Sequence, residues 1–193
     1  MHKPFIDHVL RFISLTAAER QLITAKIPSL AVRKKDFLLR AGQICTRRFF
    51  VEKGCLRQFF INKKGEETII QFAIENWWIS DYMSLTDHTA AHFSIQAVED
   101  SSVLVLDDDH YESLLRACPK MEKYFRIVLQ KAYAAAQFKF RLMHDFSKEE
   151  RYRFFNKHFP EFVQRVPQYM LASFLNITPE YMSKIRSQHL SIS

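Results

Sequence analysis

Glycine is nearly missing from this chain of 193 residues, which holds three of them, three cysteines and two tryptophans. So little glycine excludes collagen-like and flexible-linker architectures. Cys45, Cys55 and Cys118 are odd in number and widely spaced. They exclude a disulfide scaffold and lack the close pairs of a zinc or iron–sulfur site, so reduced thiols are expected, with no metal and no cofactor. Also missing is any apolar run near the ~20 residues needed to cross a bilayer, and M-H-K-P-F-I-D-H has no signal-peptide core. The expectation is a cytoplasmic chain without a membrane partner.

Phenylalanine is abundant, with 18 copies, in a composition that is 48% hydrophobic and 25% charged. Such a chain fills a core, which excludes intrinsic disorder. Lys and Arg outnumber Asp and Glu by 28 to 21, a net charge of +7 that suits a polyanionic partner. The length admits one large domain, or a sensor-sized domain with a small second module.

Residues 3–30 read as short helices, with Phe5, Val9, Phe12 and Ile13 at helical spacing and Thr16 opening a capping box with Glu19. From Ala31 to about Leu106 short runs of Val, Ile, Phe and Thr are broken at Gly42, Gly54 and Asn62 to Gly65. That pattern predicts strands and hairpins closing into a compact β-roll or barrel. The β signal stops at Asp107, and Pro119 stands at the first turn of a long helix. From Lys120 to about Asp145 apolar residues recur at three-and-four spacing, with Ala132, Ala135 and Ala136 allowing close approach. The stripe fits a dimerisation helix, with Phe125, Leu129, Ala132, Ala136 and Leu142 as its contacts, or a helix of the chain's own core. A second capping box, Ser147 to Glu150, starts an Arg-rich helix ending before Pro160. The fold class is α+β, divided into a sensor at 1–118, the long helix at 119–146 and a C-terminal module at 147–193.

The most informative stretch runs from Val166 to Arg186, V-P-Q-Y-M-L-A-S-F-L-N-I-T-P-E-Y-M-S-K-I-R. Ala172 lets two helices approach, Leu171, Phe174 and Leu175 face inward, and Asn176-Ile177 supplies the turn. Thr178 is an N-cap, Pro179 the first helical residue, and Met182 and Ile185 bury the inner face of a second helix. Its outer side carries Pro179, Glu180, Ser183, Lys184 and Ser187, where a recognition helix presents side chains to base edges and phosphates.

With these residues in place, the chain resembles the cyclic-AMP receptor protein/Fnr family of transcription regulators over nearly its whole length. The resemblance implies a cyclic-nucleotide-binding-like β-roll (a double-stranded β-helix), a dimerisation helix and a helix-turn-helix. It implies a homodimer on double-stranded DNA, with RNA polymerase as a further partner and no enzymatic activity. It puts Pro179, Glu180 and Lys184 where the family reads bases, and Thr178, Tyr181, Ser183 and Arg186 at backbone-contact positions.

The sensor departs from the family pattern. Ser80-Asp81 stands at the family's Gly-Glu pair, and the segment from Ala90 to Val98 puts Ala91 or His92 at the Arg that clamps a cyclic phosphate. A phosphate diester calls for a permanent planar cation, and a His of reference pKa ~6.5 supplies less than half a charge at neutral pH. Cyclic-AMP binding by the usual chemistry is therefore not expected. Trp78, Ser80, Asp81, Tyr82, Ala91, His92 and Phe93, with Trp77 nearby, could instead hold a small polar effector, or the aromatics could fill the pocket themselves. The clustered cysteines of an iron–sulfur sensor of the Fnr type are missing. The sequence stops seven residues after Arg186. The expected β-hairpin wing is thus reduced or absent, which would shift phosphate contacts to Arg151, Arg153 and Lys157. Two other classes stay open: a cupin-like enzyme using His88, His92 and an acid as metal ligands, and a cyclic-nucleotide regulatory module that binds no DNA.

Overall fold

The computed structural model describes residues 2–190, with side chains through residue 187. Helices α1 (Lys3–Leu10) and α2 (Ala17–Lys26) precede strands β1 (Ser29–Val32), β2 (Phe37–Leu39), β3 (Arg47–Lys53), β4 (Leu56–Ile61), β5 (Glu67–Ala73) and β6 (Trp78–Ile79). After the short α3 (Tyr82–Asp87) come β7 (Ser94–Ala97) and β8 (Ser101–Asp107). The rest is helical: α4 (Asp108–Ala117), α5 (Lys120–Asp145), α6 (Lys148–His158), α7 (Pro160–Arg165), α8 (Gln168–Leu175) and α9 (Pro179–Leu190). Both predicted capping boxes form, Thr16 with Glu19 and Ser147 with Glu150, each side chain accepting from the other residue's backbone N–H.

The strands make two four-stranded sheets, ordered β1-β8-β3-β6 and β2-β7-β4-β5. Within the first, β8 pairs antiparallel with β1 and with β3, and in the second β7 pairs antiparallel with β2 and with β4. Successive side chains of a strand point to opposite faces. Phe49, Val51 and Val103 accordingly enter the core between the sheets, with Leu39, Leu56, Ile79, Ile95 and Ala97. Their neighbours Phe50, Leu104 and Leu106 enter a second core, under Phe5, Val9, Ile23, Leu114, Met121 and Phe125 of the helices. Burial on both faces is why β3 and β8 read as continuous apolar runs rather than alternating ones. Gly54, at the turn between β3 and β4, has φ +107°, and a Cβ there would meet the Ser101 backbone at 2.7 Å, so only glycine fits.

The chain divides into two compact units. One comprises the residues up to Phe60 with Ile70–Gln130, the other Ile61–Ile69 with the chain from Lys131 onward. The tip of the β4–β5 hairpin thus belongs to the C-terminal unit. Its turn is held by the Asn62 side chain, whose oxygen accepts from the N–H groups of Lys64 and Glu66. Ser173 of α8 then acts as an extra rung, its hydroxyl donating to Glu67 O at 2.9 Å and accepting from Ile69 N–H at 3.0 Å. Helix α5 runs through both units as one continuous element.

Two of the expected dimer contacts are used within the chain. Phe125 is 6% exposed, packed between Trp78 and Tyr124, and Leu142 is 1% exposed. Neither belongs to the surface of α5, where every residue from Leu129 to Phe138 is exposed.

At the centre of the helix-side core the Tyr124 hydroxyl accepts from Trp78 Nε1–H at 2.9 Å and lies 3.0 Å from His8 Nδ1. An indole N–H can only donate, so the hydroxyl proton is left for the imidazole nitrogen. Burial pushes the Tyr124 phenol well above its ordinary pKa and keeps it neutral. Tyr124→Phe leaves the Trp78 donor buried without an acceptor and should cost about 1–3 kcal/mol, read as a lower urea midpoint at unchanged m. An unchanged midpoint would contradict the role given to this network.

Candidate functional site

The helix-turn-helix is built from a short apolar contact. Leu171, Ala172 and Leu175 of α8 pack with Ile177, Met182 and Ile185, joined by Tyr152 and Val163 from α6 and α7. Asn176 ends α8 in the left-handed region, with φ 55° and ψ 50°, a conformation that asparagine tolerates better than most residues. The Ile177 N–H returns to Ala172 O at 2.9 Å, and the Thr178 hydroxyl accepts from Tyr181 N–H at 3.3 Å as the N-cap of α9. With Met182 at 1% and Ile185 at 2% exposure, the orientation of α9 is fixed. Thr178, Pro179, Glu180, Tyr181, Ser183, Lys184, Arg186 and Ser187 are all exposed. Helix α9 continues to Leu190, and residues 191–193, on which the expectation of a reduced or absent wing also falls, lie outside the described ones.

Arg151 does not lie on that surface. It is 8% exposed, and its guanidinium donates to the carbonyls of Phe146, Leu175 and Met143, each at 3.0 Å. The expectation of a phosphate contact at Arg151 is therefore corrected. Its donors satisfy carbonyls around the C-terminal ends of α5 and α8, which have no intrahelical partners. Arg153, on the same helix, pairs with Glu149.

Lys139 of α5 sits 3.7 Å above the Phe174 ring of α8. Burial alone pulls its ammonium down from the ordinary 10.5 to about 7.

The cassette around Ser80 and Asp81 is polar and closed. Ser80 is 3% exposed, its hydroxyl donating to Arg47 O at 2.9 Å, beside the Cys45 thiol at 3.4 Å. Asp81, the N-cap of α3, is 1% exposed and accepts from three backbone N–H groups: Ser84 at 3.2 Å, His92 at 3.0 Å and Phe93 at 3.2 Å. Ser84 accepts from Cys45 N–H at 2.8 Å and donates to Thr89 O at 2.6 Å. Gln58 donates to Ser80 O at 3.2 Å. Sequence reasoning missed Cys45, Gln58 and Ser84, none of which carries a spacing signal.

The seven residues considered for an effector pocket do not share one lining. Trp78 turns to the helix-side core, bonded to Tyr124, while Ala91 is buried between the sheets. Phe93 pairs with Phe60 at 6.1 Å, and Tyr82 and His92 are exposed. Among the described residues no group of three or more His, Cys, Asp or Glu is placed to hold a metal ion, and His92 offers Asp81 its backbone N–H. No helix among them is long and apolar enough to cross a membrane.

Residues 30–118 match the family model of the cyclic nucleotide-binding domain. That match covers 89 of the 193 residues and spans the strands of the β-roll. No curated protein sequence matches the chain. FixK2 from Bradyrhizobium japonicum superposes with TM-score 0.70 at 15% identity, over 86% of this chain and 85% of its own. The c-di-GMP-responsive global regulator CLP of Xanthomonas campestris gives 0.72 at 11%, over 91% and 92%. A protein from Eubacterium rectale assigned to the Crp/Fnr family of transcriptional regulators gives 0.67 at 14%, over 92% and 85%. At these identities the likeness is one of fold, shared with a structure of the Crp/Fnr family.

A lysine held near 7 in the folded chain but near 10.5 when unfolded binds a proton in the unfolded state that the folded state lacks. Its penalty is full below about pH 7 and fades as pH rises toward 10.5, so this residue makes stability rise with pH across that window. Lys139→Met should therefore be more stable than the parent at pH 6, with the advantage shrinking by pH 10 in urea titrations. An advantage equal at both pH values would contradict the burial of this charge.

Proposed function

We propose that the protein is a homodimeric, cytoplasmic transcription regulator of the Crp/Fnr type that binds double-stranded DNA through α9 and takes an effector other than cyclic AMP, or none. The observation that carries this is the two-faced character of α9. Met182 and Ile185 are buried, while Glu180, Ser183, Lys184 and Arg186 stand exposed behind an N-cap threonine and Pro179. That is the presentation a recognition helix needs. Lys184 donates to a guanine and Glu180 accepts from a cytosine amino group, while Arg186 and the N-terminal end of α9 hold phosphates. The net charge of +7 supports the same partner.

Dimerisation is supported by the bare surface of α5. Leu129 (43% exposed), Tyr133 (67%) and Phe140 (67%), with exposed Ala132 and Ala136 between them, recur at spacings of four, three and four along one face. An apolar stripe of that period left in water marks a helix-pairing seam. Tyr133 and Phe140 take the places that Phe125 and Leu142 hold in the sequence pattern. The dimer sets two copies of α9 on a two-fold symmetric site.

Leu129→Glu should convert the dimer to monomers in sedimentation, and an intact dimer would exclude this seam. For the reading surface, selection of bound sites from random duplexes by Lys184→Ala and Glu180→Gln should each lose information at one base pair per half-site. Each contact contributes about 1–3 kcal/mol of discrimination. Arg186→Ala should weaken all sequences alike and lower the salt slope by about one. Recovery of the parent motif by both base-reading variants would overturn the assignment of α9.

A further inference from the structure

A helix cap needs one acceptor for one N–H, and Asp81 supplies that to Ser84. Its second oxygen is turned to the adjacent N–H groups of His92 and Phe93, eleven and twelve residues along the chain. Helix α3 does not require those two bonds. Consecutive backbone N–H groups converging on one anionic oxygen are the arrangement by which proteins hold a bound anion. Here the anion is part of the chain, and at 1% exposure it is sealed from solvent. The segment it grips is fixed on its other side as well. Ala91 N–H donates to Gln43 O at 2.7 Å, Gly42 N–H donates to Ala91 O at 2.8 Å, and Ile44 bridges Ala90. His88 enters the segment in the left-handed region, at φ 52°.

We propose that Asp81 is a built-in ligand of the sensor: its carboxylate fills the anion cradle formed by the His92 and Phe93 N–H groups and holds residues 88–93 against α3 with no effector bound. The chemical class the cradle accepts is a small oxyanion, carboxylate or phosphate, and the cradle becomes available to one from solution only when the Asp81 side chain is removed. The inference concerns the sensor alone and stands or falls independently of DNA binding by α9.

Two variants of the full chain separate a built-in ligand from a simple cap. Asparagine caps a helix as well as aspartate but carries no charge. Hydrogen bonds to an ionised acceptor are roughly twice as strong as neutral ones. Asp81→Asn should therefore lower the melting temperature by about 3–8 °C, whereas a residue that only caps α3 would leave it unchanged. Asp81→Ala should lose more, and should recover part of the loss saturably in sodium acetate or sodium phosphate measured against sodium chloride at equal ionic strength. The wild type should show no such difference between anions. Acetate and phosphate acting alike assigns a general oxyanion cradle, and rescue by one alone gives its preference. Should Asp81→Ala fail to fold, the amide proton resonances of His92 and Phe93 decide the matter in Asp81→Asn, where both should move upfield on losing a charged acceptor. A wild-type melting temperature for Asp81→Asn, absence of saturable rescue in a folded Asp81→Ala, or unmoved amide resonances would overturn the proposal.

Discussion

The orientation of the helix-turn-helix depends on the burial of two side chains, Met182 and Ile185, against Leu171, Ala172 and Leu175. A twelve-residue helix has little intrinsic stability, so its place is decided by what it buries. Two residues three apart settle which face turns inward, and thereby deliver Glu180, Ser183, Lys184 and Arg186 to solvent. Ala172 permits the approach, and Asn176 in the left-handed region allows the turn to be short. Arg151 supports the same unit from below by satisfying carbonyls around the ends of α5 and α8. Its charge stabilises the helix-turn-helix and is not part of the exposed face of α9.

The β-roll is organised instead by how its buried polar groups are satisfied. Strands β3 and β8 bury both faces, one between the sheets and one beneath the helices, so the roll is a layer inside a larger core. Polar side chains in such a setting must find partners or destabilise the fold. Ser80, Asp81, Ser84 and Gln58 find theirs in backbone groups of the cassette itself. The hydrogen bonds of this cassette are thus closed internally.

Much of this was legible in the residues. Capping boxes at Thr16 and Ser147, Pro119 before the long helix, and the Asn176-Ile177-Thr178-Pro179 turn are local signals, and each marks an element boundary in the structure. What local signals do not carry is the partner of a buried side. Periodicity put Phe125, Leu129 and Leu142 on one stripe, yet it does not distinguish a chain's own core from a second copy, and two of the three are buried at home. Arg151 looked like one more charge on a basic helix because its carbonyl partners at Met143 and Leu175 lie eight and twenty-four residues away. Trp78 and Asp81 are three residues apart, but Trp78 stands in β6 and joins the helix-side core, while Asp81 caps α3 and joins the cassette. Hairpin residues Glu67 and Ile69 go to the C-terminal unit through Ser173, a pairing over a hundred residues long that no window of sequence contains.

The function proposed above is sequence-specific DNA binding by a symmetric pair of α9 helices. Selection of bound sites from random duplex DNA by the wild-type protein, with no effector added and at two salt concentrations, tests it most directly. A two-fold symmetric motif is expected, with half-sites about one helical turn apart and bound more weakly as salt rises. Recovery of no enriched motif, or of binding indifferent to salt, would contradict it.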